Sequence, residues 1–378
     1  MQVPNKPTAK QPSPPKTIPK KTTLQKTTPT MRDVARLANV SVATVSAVVN
    51  GSAVVSAQRA ARVKKAMEAL DYHADQIARG LKTGRTRVVG VVIPDITNPF
   101  YPEVILWAEE VAGLARYSVI LCNANEDTAQ EERQLNALFS HRVDGVLIAC
   151  SNPAVAVDRL LHRRFPIVCI DRIPEGFRGD AAATDNFAGG YDATRHLIEL
   201  GHRRIAILAG RTELSTHSGR MEGFRKAMQE AQLPVLDEYC RTGGMQAETG
   251  YRFGRALVRL ATPPSAVFCS NNKVLLGFMR ALAEAGVECP ADISVVGFDD
   301  FRWTENFHPP LTVVYQPARE LGLQAMHLLL SRIEGGAAAT ECQRVQLRPE
   351  LHVRQSTARF EEAGQPGRIA ASGYERSF

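Results

Sequence analysis

Asp33-Val34-Ala35-Arg36-Leu37-Ala38-Asn39-Val40-Ser41-Val42-Ala43-Thr44-Val45-Ser46-Ala47-Val48-Val49-Asn50 reads as two short helices joined by a tight turn. Thr30 stands at an N-cap position, and Asp33, three residues on, makes a weak capping box. Asn39 falls where the chain must turn left-handed, a conformation that Asn tolerates. Ser41 caps the second helix, Val42 to Val49. Ala35 lets two helices cross closely, and Val40, Val45 and Val48 face inward. A third helix begins at Val55-Ser56 and runs to about Leu70, with Val63, Ala66, Met67 and Leu70 as its apolar stripe. This is a helix-turn-helix, a device whose second helix enters the major groove of DNA.

Charge agrees with that reading. Residues 1–87 hold 16 Lys and Arg against 4 Asp and Glu, so the head carries +12 of the chain's formal +7 and the remainder −5. A basic head on a mildly acidic body implies a local polyanion contact. Ala78-Arg79-Gly80-Leu81-Lys82 follows the head. A lone Leu in a basic segment can act as a minor-groove wedge, which makes Leu81 a candidate DNA contact. Asp75 can cap this hinge helix, while Gly80 weakens it by roughly 1 kcal/mol relative to Ala. A hinge that orders on DNA is the expectation.

Asp33-Val34-Ala35, Val40-Ser41-x-x-Thr44-Val45-Ser46, Val49-Asn50-Gly51, Val55-Ser56 and Ala78-Arg79-x-Leu81 together resemble the lactose/galactose repressor family of bacterial transcription factors. The resemblance runs to about residue 356. It implies base-edge contacts from Val42, Ala43 and Ala47, and phosphate contacts from Ser41, Thr44, Ser46 and Asn50. Relatives commonly carry Arg or His where Ala47 stands. Val42, Ala43 and Ala47 offer only apolar contact, chiefly to thymine methyls. Readout here must lean on DNA shape and on the wedge. Ala74-Asp75 also replaces the usual Pro-Asn before the hinge.

From Val88 the texture changes. Apolar runs at Val88 to Ile93, Val119 to Cys122, Val143 to Ile148, Ile167 to Ile170, Ile205 to Leu208, Ala266 to Cys269 and Ile293 to Gly297 alternate with helical segments. That pattern predicts parallel sheets covered on both faces. The fold class is α/β with an all-α head, and the core resembles the two-lobed, Rossmann-like periplasmic sugar-binding architecture. The expected domains are a basic disordered tail (1–28), the head with its hinge (29–82), a linker (83–87), the core for effector binding and dimerisation (88–358) and a second tail (359–378).

Ligands of open parallel sheets bind beyond the carboxyl ends of the strands. Asp95, Asp171-Arg172, Asn271 and Asp299 each follow a strand, and Arg220 opens a helix after the Ile205 run. Carboxylates, an amide and an arginine converging on a cleft suit vicinal hydroxyls, and Phe100 or Trp303 can cover a sugar's apolar face. The family resemblance implies effector contacts at Asp171, Arg220, Asn271, Asp299 and Gln316, with Phe100 at an often aromatic position and Thr216 where some relatives use a hydroxyl. Asn272 stands where Asp is usual, and Met245 where Phe or Trp often closes the cleft. Arg172 and Arg302 hint at a sugar acid.

Several classes are excluded. No Gly-x-Gly-x-x-Gly follows a strand, and neither a Walker loop nor Gly-x-Ser-x-Gly occurs, so an enzyme is not expected. The seven Cys and nine His show no metal spacing, so neither a metal nor a cofactor is expected. The Lys-, Pro- and Thr-rich start has no apolar core like that of a secretory signal, and no run is long enough to span a bilayer. A sugar-binding protein without a regulatory role is the alternative, but it would need a signal peptide and no basic head. The reading is a cytoplasmic homodimeric repressor of a near-palindromic double-stranded DNA operator, controlled by a small sugar or sugar-acid effector acting as inducer or corepressor.

Overall fold

The computed structural model describes residues 29–50, 55–72, 85–151, 165–335 and 341–360. The chain divides into two compact units, a head ending at residue 79 and a core beginning at residue 80.

The head is three helices, α1 (Met31–Ala38), α2 (Val42–Asn50) and α3 (Ala57–Ala69). Thr30 donates its backbone N–H and its hydroxyl to the Asp33 carboxylate, at 3.0 and 2.7 Å. Asn39 adopts the left-handed conformation, φ 50°, that stops α1. Val34, Ala35, Ala38, Val45, Val63 and Ala66 form the core, with Val40, Val48, Met67 and Leu70 packed at its edge. The expected inward residues are therefore the ones that pack.

The core holds two six-stranded sheets. The first lobe has β1 (Val88–Ile93), β2 (Ser118–Asn123), β3 (Gly145–Ile148), β4 (Ile167–Ile170), β5 (Asp180–Thr184) and β11 (Arg344–Leu347), in the order β11-β5-β4-β3-β1-β2 and all parallel. The second has β6 (Ile205–Ala209), β7 (Cys240–Thr242), β8 (Ala266–Cys269), β9 (Ser294–Phe298), β10 (Thr312–Tyr315) and β12 (Glu350–His352). Its order is β12-β10-β9-β8-β6-β7, and only β12 is antiparallel. The chain crosses between lobes after β5, after β10 and after β11. Helices α4 (Phe100–Leu114), α5 (Thr128–Ser140) and α11 (Ala318–Gly335) cover the first sheet. Around the second lie α6 (Asn186–Glu199), α7 (Ser215–Glu230), α8 (Ala247–Leu257), α9 (Asn272–Ala285) and the short α10 (Arg302–Glu305).

Several boundaries differ from expectation, most by one residue. The third strand begins at Gly145, with Val143 outside it. Phe360 falls within the expected tail but packs on the second lobe. Phe360 donates its N–H to the Leu200 carbonyl at 2.8 Å, and its ring lies 5.5 Å from that of His202. No helix among the described residues is long and apolar enough to cross a membrane.

Candidate functional site

The start of α2 is the exposed part of the head's second helix. The Ser41 hydroxyl accepts the Thr44 N–H at 3.1 Å, so the side chain caps the helix. Val42 and Ala43 are exposed there, while Thr44, Ser46 and Ala47 are half-buried. The Asn50 side chain, Leu81 and the hinge segment lie outside the described residues.

In the core, the strand ends of both sheets converge on a buried polar cleft. Asp171 leaves β4 with φ 62° and Asp299 leaves β9 with φ 76°, both left-handed. Tyr101 donates its hydroxyl to Asp171 Oδ2 at 2.8 Å. Gln316, at a crossing between lobes, donates Nε2 to Asp299 Oδ1 at 2.5 Å. Burial pushes both carboxyls above the ordinary carboxylate range, against the pull of nearby guanidinium groups.

Arg220 does not open its helix; it lies well inside α7. Its Nε donates to Asn186 Oδ1 at 2.8 Å and its Nη1 to the Ser270 carbonyl at 2.6 Å. Its guanidinium carbon sits 3.5 Å over the Phe298 ring, a close cation–π contact. This position needs α6 and α7 to meet backbone to backbone. A Cβ on Gly190 would collide with the Arg220 carbonyl, and one on Gly223 with the Phe187 carbonyl.

Asn271 caps α9: its Oδ1 accepts the Val274 N–H at 3.0 Å. Thr216 is buried on α7. Phe100 is buried in the first lobe's core and meets Tyr101 edge to face, at 5.3 Å. Trp303 is half-buried and packs against the second lobe's core, beside Phe301 and Phe307.

The two arginines that hinted at an anionic ligand do not support it. Arg172 is buried and already neutralised, donating to both oxygens of Glu126 at 2.8 and 2.7 Å. Arg302 is exposed on α10. Met245 is held by other groups, with its sulfur 3.1 Å from His217 Nε2 and 3.9 Å from Arg172 Nη2. His217 is buried, and burial followed by Arg220, Arg172 and Arg211 keeps it neutral, well below its usual range.

Several groups join the lobes across the cleft. Arg211 of the second lobe donates to the Ser151 carbonyl at 2.6 Å and to Glu126 at 3.3 Å. Ile173 donates its N–H to Ser215 Oγ at 3.0 Å. Asn272 donates to Asn98 Oδ1 at 2.8 Å, and Lys273 meets Asp95 at 2.5 Å. Sequence reasoning missed Tyr101, Glu126, Asn186, Arg211 and His217. They lie on helices or loops far from their partners in sequence; Glu126, directly before the N-cap Asp127, and Asn186, directly after the N-cap Asp185, had a local mark.

With the two sites described, similarity to known proteins decides the family. A model of bacterial regulatory proteins of the lacI family matches residues 30–75, and a periplasmic binding protein-like domain matches residues 194–357. An HTH-type transcriptional repressor PurR of Actinobacillus pleuropneumoniae is 35% identical over 328 residues, covering 86% of this chain and 98% of that one. The chain belongs to the lacI family. The lac repressor dimer bound to operator and an anti-inducer superposes with a TM-score of 0.78 at 27% identity, over 88% of this chain and 100% of that one. A lacI-family regulator of Enterococcus faecium with bound ribose gives 0.65 at 32% identity, over 72% and 100%. This lacI-family member is a DNA-binding transcriptional repressor answering to a small-molecule effector, and it is not an enzyme.

Proposed function

We propose that the effector is a neutral polyhydroxylated sugar bound between the lobes by Asp171, Arg220, Asn271, Asn272, Asp299 and Gln316, with Thr216 and Phe100 shaping the pocket. The observation that carries this reading is a set of buried acceptors. Asp171 Oδ1, Asn272 Oδ1 and Gln316 Oε1 have no hydrogen-bond partner. The amide orientations follow from the network. Gln316 faces a carboxylate and must present its NH2. Asn98 Oδ1 already accepts the Phe100 N–H at 3.1 Å, so Asn272 must present its own NH2 there. Each unsatisfied buried group costs about 1–3 kcal/mol. Three acceptors call for donors, and hydroxyls are donors. The arginines nearby have the protein's own carboxylates for company: Arg172 has Glu126, while Asp299 and Asp171 act on Arg220. A ligand's own negative charge would find no uncompensated cation. Ribose in the Enterococcus faecium regulator is consistent with this chemistry.

The proposal places the chain in the cytoplasm and has it act as a homodimer, in keeping with the lac repressor dimer bound to operator. Each head sets Val42, Ala43 and Ala47 against base edges and Ser41, Thr44, Ser46 and Asn50 against phosphates, while Leu81 wedges the minor groove. The proposal takes a DNA-binding head with its hinge (29–82), a linker (83–87) and an effector-binding core from residue 88, here carried through Phe360, which pairs with Leu200.

Thermal denaturation of the full chain against neutral sugars and the matching sugar acids tests the ligand class. A true effector at a hundred times its Kd stabilises by about 2.7 kcal/mol. Stabilisation by sugar acids and not by neutral sugars would overturn the reading. Operator titration with and without the stabilising sugar then separates an inducer, which weakens binding, from a corepressor, which strengthens it.

A further inference from the structure

We propose that Asp95 and Lys273 form a latch across the mouth of the cleft, and that Lys273 is a positioning residue for the effector response. The proposal takes the cleft to be the effector site.

The lip of the first lobe is a prebuilt loop. Asp95 Oδ1 accepts the Thr97 N–H at 2.9 Å and the Thr97 hydroxyl at 2.6 Å. Asn123 Oδ1 accepts the Ile96 N–H at 3.0 Å, and Asn98 Oδ1 accepts the Phe100 N–H. That leaves Asp95 Oδ2 for the other lobe, where it meets Lys273 Nζ at 2.5 Å. Lys273 Nζ also lies 2.6 Å from Thr97 Oγ1. The next pair along, Asn98 with Asn272, closes in the same register.

Local preference does not explain Lys273. It is the second residue of α9, where the helix dipole disfavours a cation. Its polar contacts all lie on the opposite lobe, so the position is favourable only when the lobes are closed. Asp95 complements both the ammonium and the N-terminus of α9. Burial opposes ionisation of Asp95, but Lys273 and Thr97 overcome it and hold the carboxyl below its ordinary value. The two side chains are 17% and 16% exposed, so salt screens the pair less than a surface one but still reaches it.

The latch therefore acts at the lip alongside Asn272, whose own Oδ1 is one of the unsatisfied acceptors. An effector entering the cleft binds best to closed lobes, and the latch contributes part of the free energy of closing. Loss of Lys273 leaves the effector to supply that part.

Hydrogen exchange of the full, ligand-free chain tests this. Lys273→Met and Asp95→Asn each remove the charge pair, and Asn keeps the acceptor that builds the lip turn. Each should speed exchange of the lip amides of residues 96–101 roughly threefold. If the residues act through each other, the double variant should match the single ones. A ninefold product in the double variant, or unchanged exchange in both singles, overturns the latch. Raising salt should move wild type towards Lys273→Met and leave the variant in place; equal salt sensitivity also counts against it. Lys273→Met and wild type are then titrated with D-ribose, with severalfold weaker stabilisation expected in the variant. Failure of ribose to stabilise either protein would refute ribose as the effector, whereas the exchange data judge the latch without it.

Discussion

Replacing Arg220 with Met should destabilise the core more at neutral pH than in acid. The substitution keeps an apolar stem over Phe298 but removes a buried cation that has Asp299 and Asp171 as its electrostatic partners. Removing one partner of a buried charge group costs roughly 3–5 kcal/mol. The Ser270 carbonyl and Asn186 Oδ1 also lose a donor, a loss already within that range. For a core of this size each kcal/mol lowers Tm by about 2 °C, so a fall of roughly 6–10 °C is expected near pH 7.5. The pH dependence follows from the two carboxyls. Burial raises their folded pKa above the unfolded value of 3.8, so the folded state binds protons more tightly. Their contribution to stability is greatest below the unfolded pKa and declines as pH rises towards the folded one. Arg220 opposes that rise. Without it the folded pKa climbs further, the declining window widens upward, and the variant loses more stability than wild type between pH 5 and pH 7.5. Differential scanning calorimetry of both proteins at the two pH values reads the difference. An equal fall in Tm at both pH values would refute the electrostatic account, and no fall at all would show that the guanidinium is dispensable.

Ala47→Arg should redirect operator choice, because a guanidinium there can reach guanine O6 and N7, worth about 1–3 kcal/mol of discrimination; selection from random DNA should gain one G per half-site, and an unchanged consensus would mean that α2 does not face base edges. Asp299→Asn should abolish stabilisation by the effector sugar while operator affinity of the sugar-free protein stays within about twofold, since it touches no DNA contact; a retained sugar response would misplace the ligand. Asn39→Ala should cost the head about 1–2 kcal/mol through its left-handed backbone, with Asn39→Gly far milder; hydrogen exchange of α1 and α3 in the full chain reports both, and equal exchange in the two variants would count against the turn as the cause.

The head was almost fully legible because its determinants are local. Thr30 with Asp33, Asn39 and Ser41 act over three or four residues, and each occupies its expected place. The apolar strands of the core were legible for the same reason. β5 was not: its run Asp-Ala-Ala-Ala-Thr has no β-branched residue until Thr184, yet it is fully buried between β4 and β11. Alanine belongs there because neighbouring layers press close, a demand that tertiary packing makes and propensity does not record. β10 and β11 are short, and the partner of β11, β5, lies far away in sequence. β12 could be read only once the chain had crossed back to the second lobe.

The cleft divides along the same line. That polar residues follow strands was visible, and Asp171, Asn271 and Asp299 stand there. What each side chain is bonded to was not visible. Arg172 looked like a hand extended to an anion, and Glu126 already holds it by both nitrogens. Asn271 looked like a ligand, and half of its amide caps α9. At the proposed ligand contacts Asp171, Asn272 and Gln316 the unpartnered atoms are acceptors, and the proposal of a hydroxyl-bearing effector rests on that. It also bears on how a signal leaves the site. An effector changes operator affinity only through unequal affinity for two arrangements of the core. Asp171 and Tyr101 belong to one lobe, Asp299 and Gln316 to the other or to a crossing, and Asn272 reaches across. A ligand satisfying Asp171 Oδ1 together with Gln316 Oε1 or Asn272 Oδ1 must hold both lobes at one separation. The same ligand bonded within one lobe alone would occupy the cleft and leave lobe closure, and with it operator binding, unchanged.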